Sequence, residues 1–353
     1  MKKTILILLL LLLTGCAAQP GETIPTETTA APTAVLETTL PTETTVPETE
    51  PQPKQFLLTF AGDYTFGSNP QNRSALYSFE NTIGEDYRYP FANVLSYFEQ
   101  DDFTMVNLEG TLTERGPQMK KAFNFKGSPD YVHILTENSV EAVSLANNHT
   151  MDYGKEGYAS TTATLEGAGV PYVEENDSTV ITLDSGLTIG LYGTVYYSMD
   201  LDHMVSAVTA MRAQGVDVIV VAAHWGAEYY YSPNSVQTEY GRAAIDAGAH
   251  IVYGSHPHVL QPIEHYNGGV IYYSLGNFSF GGNMYPKDYD TALIQQEVIL
   301  QPDGTVHLGE TIAIPTCLTS QKGHNNFQPT PYEPGSEGYQ RVMEKLGLSE
   351  ESA

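Results

Sequence analysis

The run from Val216 to Ala223 is apolar except for Asp217, and it stops at the polar string His224-Trp225-Gly226-Ala227-Glu228. Gly215 before it and Gly226 after it bound a segment of strand length. A strand with no polar alternation is buried on both faces, so the chain must supply a covering layer above and another below. That requirement excludes a single half-solvated antiparallel sheet and points to sheets packed between helices.

The same arrangement recurs along the chain. Gln55 to Phe60 leads into Ala61-Gly62-Asp63, and Phe103 to Leu108 leads into Glu109-Gly110. Val140 to Ala146 ends in Asn147-Asn148-His149, and Ala249 to Tyr253 breaks at Gly254 before His256-Pro257-His258. Val270 to Tyr273 runs on to Leu275-Gly276-Asn277-Phe278. Helical stretches are expected at Phe91–Gln100, Asp130–Asn138, Glu156–Ala168, Asp202–Gln214 and Val236–Ala247. Hairpins are expected at Val180–Tyr192 and Thr291–Ile314, around Asp184-Ser185-Gly186 and Pro302-Asp303-Gly304. Alternating strands and helices give an α/β chain, with one mixed sheet or two packed sheets between helices.

In such folds the carboxyl ends of the strands share one crevice. Asp63, Glu109, Asn148, His224, His256 and His258 all stand at expected strand ends. Two carboxylates, one amide oxygen and three imidazoles suit one or two divalent ions such as Mn, Fe or Zn, whereas Ca or Mg prefers an all-oxygen set. Each residue alone reads as well as a turn aspartate, a solvated strand end or a satisfied core histidine. Six such positions together favour a metal site. The chain has no G-x-S-x-G elbow and no glycine-rich phosphate loop, which leaves little for nucleophilic serine chemistry or nucleotide binding.

The N-terminus carries Lys2 and Lys3, the apolar run Ile5 to Leu13, then Thr14-Gly15-Cys16. This reads as a signal peptide over residues 1–15, too short in its apolar part to span a bilayer. Leu13-Thr14-Gly15-Cys16 resembles a bacterial lipobox, so Cys16 is expected to be acylated and to anchor the protein outside the cell membrane. Cys317 then has no cysteine partner. Residues 16–53 follow as a Thr/Pro/Glu-rich linker, with six Glu and no Lys or Arg from Ala17 to Pro53, expected to stay disordered. The main domain is expected at 54–318 and a C-terminal extension at 319–353, with a short helix near Tyr339–Leu346. A net charge of −26 argues against nucleic acid as a partner. It also means that an anionic substrate needs a local positive centre, which a metal ion would supply.

Six spaced motifs resemble those of CapA-type capsule, or poly-γ-glutamate, biosynthesis proteins. They are Phe60-Ala61-Gly62-Asp63, Asn107-Leu108-Glu109-Gly110, Leu145 to Gly154, His224-Trp225-Gly226-x-Glu228, Gly254-x-His256-Pro257-His258-Val259-x-Gln261 and Ser274 to Phe278. The resemblance spans about Gln55 to Leu300. It implies a calcineurin-like metallophosphatase fold, a four-layer α-β-β-α sandwich of mixed sheets with a dinuclear site at one edge. Carried onto this sequence, Asp63 and His258 resemble ligands of one metal and Glu109 the bridge. Asn148, His224 and His256 resemble ligands of the second. His149 is then the acid that protonates the leaving group, with Asp152 supporting its charged form. Metallophosphatases carry a His where this chain has Thr65, and an Asp where it has Glu109; the CapA-type family shares both differences. Two functions follow from the resemblance. One is a metal-dependent hydrolase of a phosphoester or γ-glutamyl polymer; the other is a non-catalytic component of a membrane capsule synthesis or export assembly.

Overall fold

The computed structural model describes residues 51–348; the signal sequence, Cys16 and most of the Thr/Pro/Glu stretch lie outside the described residues. Two mixed sheets stack face to face. In the first, the strands run in the order Thr330–Pro331, Val306–Cys317, Asp290–Leu300, Lys54–Thr65, Phe103–Leu108, Ala142–Ser144, Tyr172–Val173. In the second the order is Leu260–Tyr266, Gly269–Leu275, Ile251–Ser255, Val218–His224, Thr188–Val195, Ser178–Thr182. In the first sheet Lys54–Thr65, Phe103–Leu108, Ala142–Ser144 and Tyr172–Val173 run parallel while the strands on the Asp290–Leu300 side pair antiparallel; in the second the central strands are parallel and an antiparallel pair finishes each edge. Val218–His224 is buried at every position, as its composition demands.

The core lies in three seams. Between the sheets, Leu58, Phe60, Met105, Leu191, Val220, Tyr253, Tyr272 and Ile294 pack together with essentially no exposure. Each large apolar side chain buried in this way contributes about 1.5–3 kcal/mol. The outer face of the first sheet is covered by Phe79, Phe91, Phe98, Ile134 and Leu165 from short helical segments and the helix Gly154–Ala168. The outer face of the second is covered by Met204, Val208, Tyr240 and Ala244 from the helices Leu201–Ala213 and Ser235–Asp246. Helix, sheet, sheet, helix is the four-layer order expected. Both of these latter helices are capped by side chains: Asp200 accepts from His203 N at 3.0 Å, and Asn234 and Gln237 form a reciprocal capping box. Among the described residues no helix is long and apolar enough to cross a membrane.

Three local expectations need correcting. The stretch Phe91–Gln100 is not one helix but a 3-10 turn at Tyr89–Phe91 and a four-residue helix at Leu95–Phe98. Asp130–Asn138 likewise divides into a 3-10 turn at Pro129–Tyr131 and the helix Val132–Thr136. Leu260–Tyr266, for which no strand was expected, pairs antiparallel with Gly269–Leu275 across Asn267-Gly268. Asn267 and Gly268 both have positive φ, as a tight hairpin turn requires.

The C-terminal residues pack on the same core. The helix Glu337–Leu346 places Val342 and Leu346 in the seam between the sheets. Buried Asp290 accepts from Arg341 at 2.6 and 2.7 Å, from Lys345 at 2.7 Å and from Tyr332 at 2.8 Å, which ties that helix to the strand it covers.

Candidate metal centre

A bulge in the central strand aims the first carboxylate. Phe56, Leu58 and Phe60 point between the sheets, yet Tyr64 and Phe66 point to the helices, because the register shifts between Phe60 and Asp63. That one-residue shift turns Asp63 away from the helix layer and toward the second sheet. Gly62 makes the bend possible, since a Cβ there would lie 2.3 Å from the Gly276 carbonyl oxygen. The Asp63 amide donates to that same oxygen at 2.8 Å.

The other candidates come from the carboxyl ends of neighbouring strands. Glu109 follows Phe103–Leu108, and its amide donates to Tyr64 O at 2.7 Å. His224 is the last residue of Val218–His224, in register with Ser255 of the adjoining strand. His256 and His258 follow Ser255 on either side of Pro257, with φ values of +96° and +56°. Positive φ is costly for a residue with a Cβ, and such strain collects at functional sites.

Asp63, Glu109 and His258 each offer a ligand atom within 4.8 Å of the others. His258 Nδ1 lies 3.3 Å from Asp63 Oδ2 and 2.8 Å from Asn277 Oδ1, while its Nε2 lies 3.8 Å from Glu109 Oε1. Beside them His224 Nε2 is 2.9 Å from Asn148 Oδ1, and the His224 and His256 rings are 4.6 Å apart. His256 also stacks on Tyr196 at 4.9 Å. His149 Nδ1 sits 2.8 Å from Asp152 Oδ2, which leaves its Nε2 turned inward, 3.7 Å from Glu109 Oε1. All eight residues singled out in the sequence therefore share one edge of the sandwich.

Three polar atoms test whether this cluster suits a cation. Both Glu109 oxygens and His256 Nδ1 are buried without a hydrogen-bond partner. A buried, unpaired carboxylate is costly, and a cation is the partner that would offset it. Burial raises the Glu109 pKa well above the usual carboxylate range, and the Asp63 charge adds to the shift. Burial works the other way on His258, but the Glu109 and Asp63 carboxylates outweigh it and hold the imidazole up at about 10. Protons thus stand where positive charge is wanted. His224 is pushed well below its usual value, chiefly by burial, and His256 to about 4 by burial and the His258 charge. Neutral imidazole is the ligating form. The donor set fits a divalent cation.

Further residues position the cluster. Asn107 Nδ2 donates to Asp63 Oδ1 at 2.8 Å, and its Oδ1 accepts from Asn147 at 3.1 Å. Asn147 also donates to Leu108 O at 2.9 Å and accepts from His149 N at 3.0 Å, joining three strand ends. Lys121 bridges Asp152 Oδ1, in a very short contact, and the Asn148 carbonyl at 2.8 Å. Asn107 and Asn147 lie inside the motifs read from the sequence, beside the expected ligands. Lys121 carries no sequence signal, because its loop meets the site only in three dimensions.

The chain matches the bacterial capsule synthesis protein family PGA_cap over residues 57–282. It is 32% identical to the PGA biosynthesis protein CapA of Bacillus subtilis over 61% of this chain and 62% of that one. It is 28% identical to the capsule biosynthesis protein CapA of Bacillus anthracis over 76% of this chain and 69% of that one. The chain therefore spans between six and seven tenths of the length of these relatives. Among solved structures, Haemophilus influenzae NAD nucleotidase superposes with a TM-score of 0.44 at 10% identity, covering 85% of this chain and 57% of that one, too loose a likeness to carry an argument. The match over residues 57–282, which holds every strand end of the metal cluster, makes this chain a member of the bacterial capsule synthesis protein family PGA_cap.

Proposed function

We propose that this chain acts in the synthesis or processing of a capsule polymer of the poly-γ-glutamate type, as a metal-dependent hydrolase of an anionic polymer or phosphoester. The observation that carries the reading is the buried Glu109 carboxylate, with both oxygens unpartnered, beside Asp63 and His258. Names of the relatives supply the capsule and PGA context. Asp63, Glu109 and His258 would hold one divalent ion, and Asn148, His224 and His256 would hold a second. Mn, Fe or Zn suits the mixed oxygen and imidazole donors. When bound, the metal supplies a positive centre for an anionic group and Lewis-acid polarisation of the bond under attack.

The rest of the chemistry lies in the chain's own groups. Asp152 accepts from His149 Nδ1 and so orients the ring with Nε2 toward the cluster. A protonated His149 would release its proton from Nε2 to the leaving group. Burial lowers the His149 pKa, and the hydrogen bond to Asp152 works against that shift. Lys121 and the Phe125 amide hold Asp152 in place. Phe125 lies against His149 with ring centroids 4.4 Å apart and shields that side from water.

In this reading the mature protein starts at an acylated Cys16, works outside the cell membrane and meets membrane components of capsule synthesis there. A second reading, a non-catalytic assembly component, is favoured by one feature. Position 65, two residues after Asp63, carries a threonine whose buried hydroxyl has no partner, so the cluster has one imidazole fewer than a full dinuclear set. Hydrolysis assays on γ-glutamyl oligomers and phosphoesters with Mn, Fe and Zn decide between them. Turnover that His149→Ala reduces supports the hydrolase. No turnover with any metal, together with loss of capsule on deletion of the gene, supports the assembly component.

A further inference from the structure

Beside the metal cluster a cleft opens, with Phe125, His149, His258 and Phe280 at its base and Glu228, Tyr229 and Lys287 toward solvent. Although the chain has 42 acidic and 16 basic residues, the exposed Lys287 pairs with no carboxylate among the described residues. Its ammonium lies over the Tyr229 ring, 4.6 Å from the centroid, and that ring is 6.4 Å from the His258 ring. Lys287 thus stands no further than the sum of those two distances from the cluster.

The loop that carries it is tied down on both sides. Asn325 N donates to Met284 O at 2.8 Å, and Asp288 accepts from Lys345 at 2.6 Å and from Tyr231 at 3.0 Å. The nearest carboxylate in sequence, Asp288, is therefore already occupied. Tyr229 is fixed as well, with φ at +62° and its amide donating to Pro257 O at 2.8 Å. Lys121, the other lysine near the cluster, is committed to Asp152. Glu228, the remaining acid on the cleft wall, forms no ion pair with Lys287 among the described residues. A fixed cation without a counter-charge, set back from the reacting centre, is arranged to receive a second anionic group of the substrate.

We propose that Lys287 is a specificity-determining residue that binds a carboxylate of a polyanionic chain while another unit of that chain lies at the metal cluster. This rests on the hydrolase reading of the site and names its substrate class. A γ-glutamyl chain carries one free carboxylate per residue, spaced roughly 6 Å apart when extended, so a unit one or two residues from the cluster reaches Lys287. A simple phosphoester keeps its charge at the phosphorus, on the cluster itself, and has nothing to offer a lysine at the rim. Tyr229 keeps the ammonium in place and leaves its outer face open.

The test uses the full-length, metal-loaded protein, with a synthetic γ-glutamyl tetramer and inorganic phosphate as probes and calorimetry as the readout. Lys287→Gln should weaken tetramer binding about tenfold and flatten its dependence on salt, while phosphate binding stays unchanged. Lys287→Arg should restore most of the affinity. Tetramer binding indifferent to residue 287, an equal loss for phosphate, or an Arg variant as weak as Gln would overturn the inference. A metal-loaded wild type that binds no tetramer overturns it too, yet leaves the metal site standing. A protein that binds phosphate and tetramer without metal counts against the hydrolase reading instead.

Discussion

Glu109 Oε1 lies 3.8 Å from His258 Nε2 and 3.7 Å from His149 Nε2, and neither Glu109 oxygen accepts a hydrogen bond. One buried carboxylate therefore faces both a candidate ligand and the candidate acid. The two imidazoles differ in what holds their other nitrogen. His258 Nδ1 is turned to Asp63 and Asn277, while His149 Nδ1 is turned to Asp152. This difference separates a metal role from a proton-transfer role.

His149→Ala should keep its metal and lose turnover. General acid catalysis contributes about 10²–10⁴-fold, so a loss of that size is expected on substrates with a basic leaving group. On nitrophenyl esters, whose leaving group needs no proton, the loss should be much smaller. Parallel kinetics and elemental analysis on the same preparation check both halves.

Asn147→Ala should destabilise the fold more than any single contact suggests. It leaves the Leu108 carbonyl, Asn107 Oδ1 and the His149 amide without their partner at once. Unsatisfied buried polar groups cost about 1–3 kcal/mol each, and relaxation recovers part, so a loss of about 2–4 kcal/mol in urea unfolding is expected. A change below about 0.5 kcal/mol would remove Asn147 from its positioning role.

The strand ends were legible because apolar runs stop where the chemistry begins: Val218–Ala223 gives way to His224, and Ile251–Tyr253 gives way to Gly254 and the two histidines beyond it. The strand Leu260–Tyr266 was missed for a physical reason. Polar Gln261, Glu264 and His265 break the apolar run, so only Asn267-Gly268 signals the hairpin. The expected helix at Phe91–Gln100 overreached because apolar spacing does not show where a segment must turn to cover a sheet. The bulge that aims Asp63 was hidden altogether, since Gly62 alone cannot reveal a register shift. Ties from Asp290 to Arg341 and Lys345 cross some 50 residues, beyond the reach of any local pattern.

Asp290→Asn should loosen the C-terminal helix. The carboxylate is buried and receives Arg341, Lys345 and Tyr332. Neutralising one partner of a buried ion pair costs about 3–5 kcal/mol, less here because both cations reach solvent, so about 2–3 kcal/mol is expected. Hydrogen exchange should rise first in residues 337–346, with the strand Val218–His224 little changed.

Stability should carry a pH signature from a pair of acids at Thr104. Asp101 accepts from its hydroxyl at 2.6 Å and Glu141 from its amide at 2.7 Å. Burial raises Asp101 to about 6 and Glu141 to about 7. Folding thus favours the protonated acids, and this stability, fully present below pH 4, is lost as pH rises through 6 and 7. Gln at position 141 keeps an acceptor and cannot ionise. Between pH 5 and pH 8, Glu141→Gln should gain about 1–2 kcal/mol relative to wild type, discounted for partial exposure. A difference that does not change with pH would contradict this assignment.

The metal cluster is tested most directly by elemental analysis of the full-length protein after exposure to Mn, Fe and Zn, beside Glu109→Gln and His258→Ala. Circular dichroism on each preparation establishes that the variants are folded. Wild type should retain at least one divalent ion per chain after desalting, and both folded variants should lose most of it. A wild type that retains no metal under any of these conditions, or folded variants that retain as much as wild type, would contradict the account.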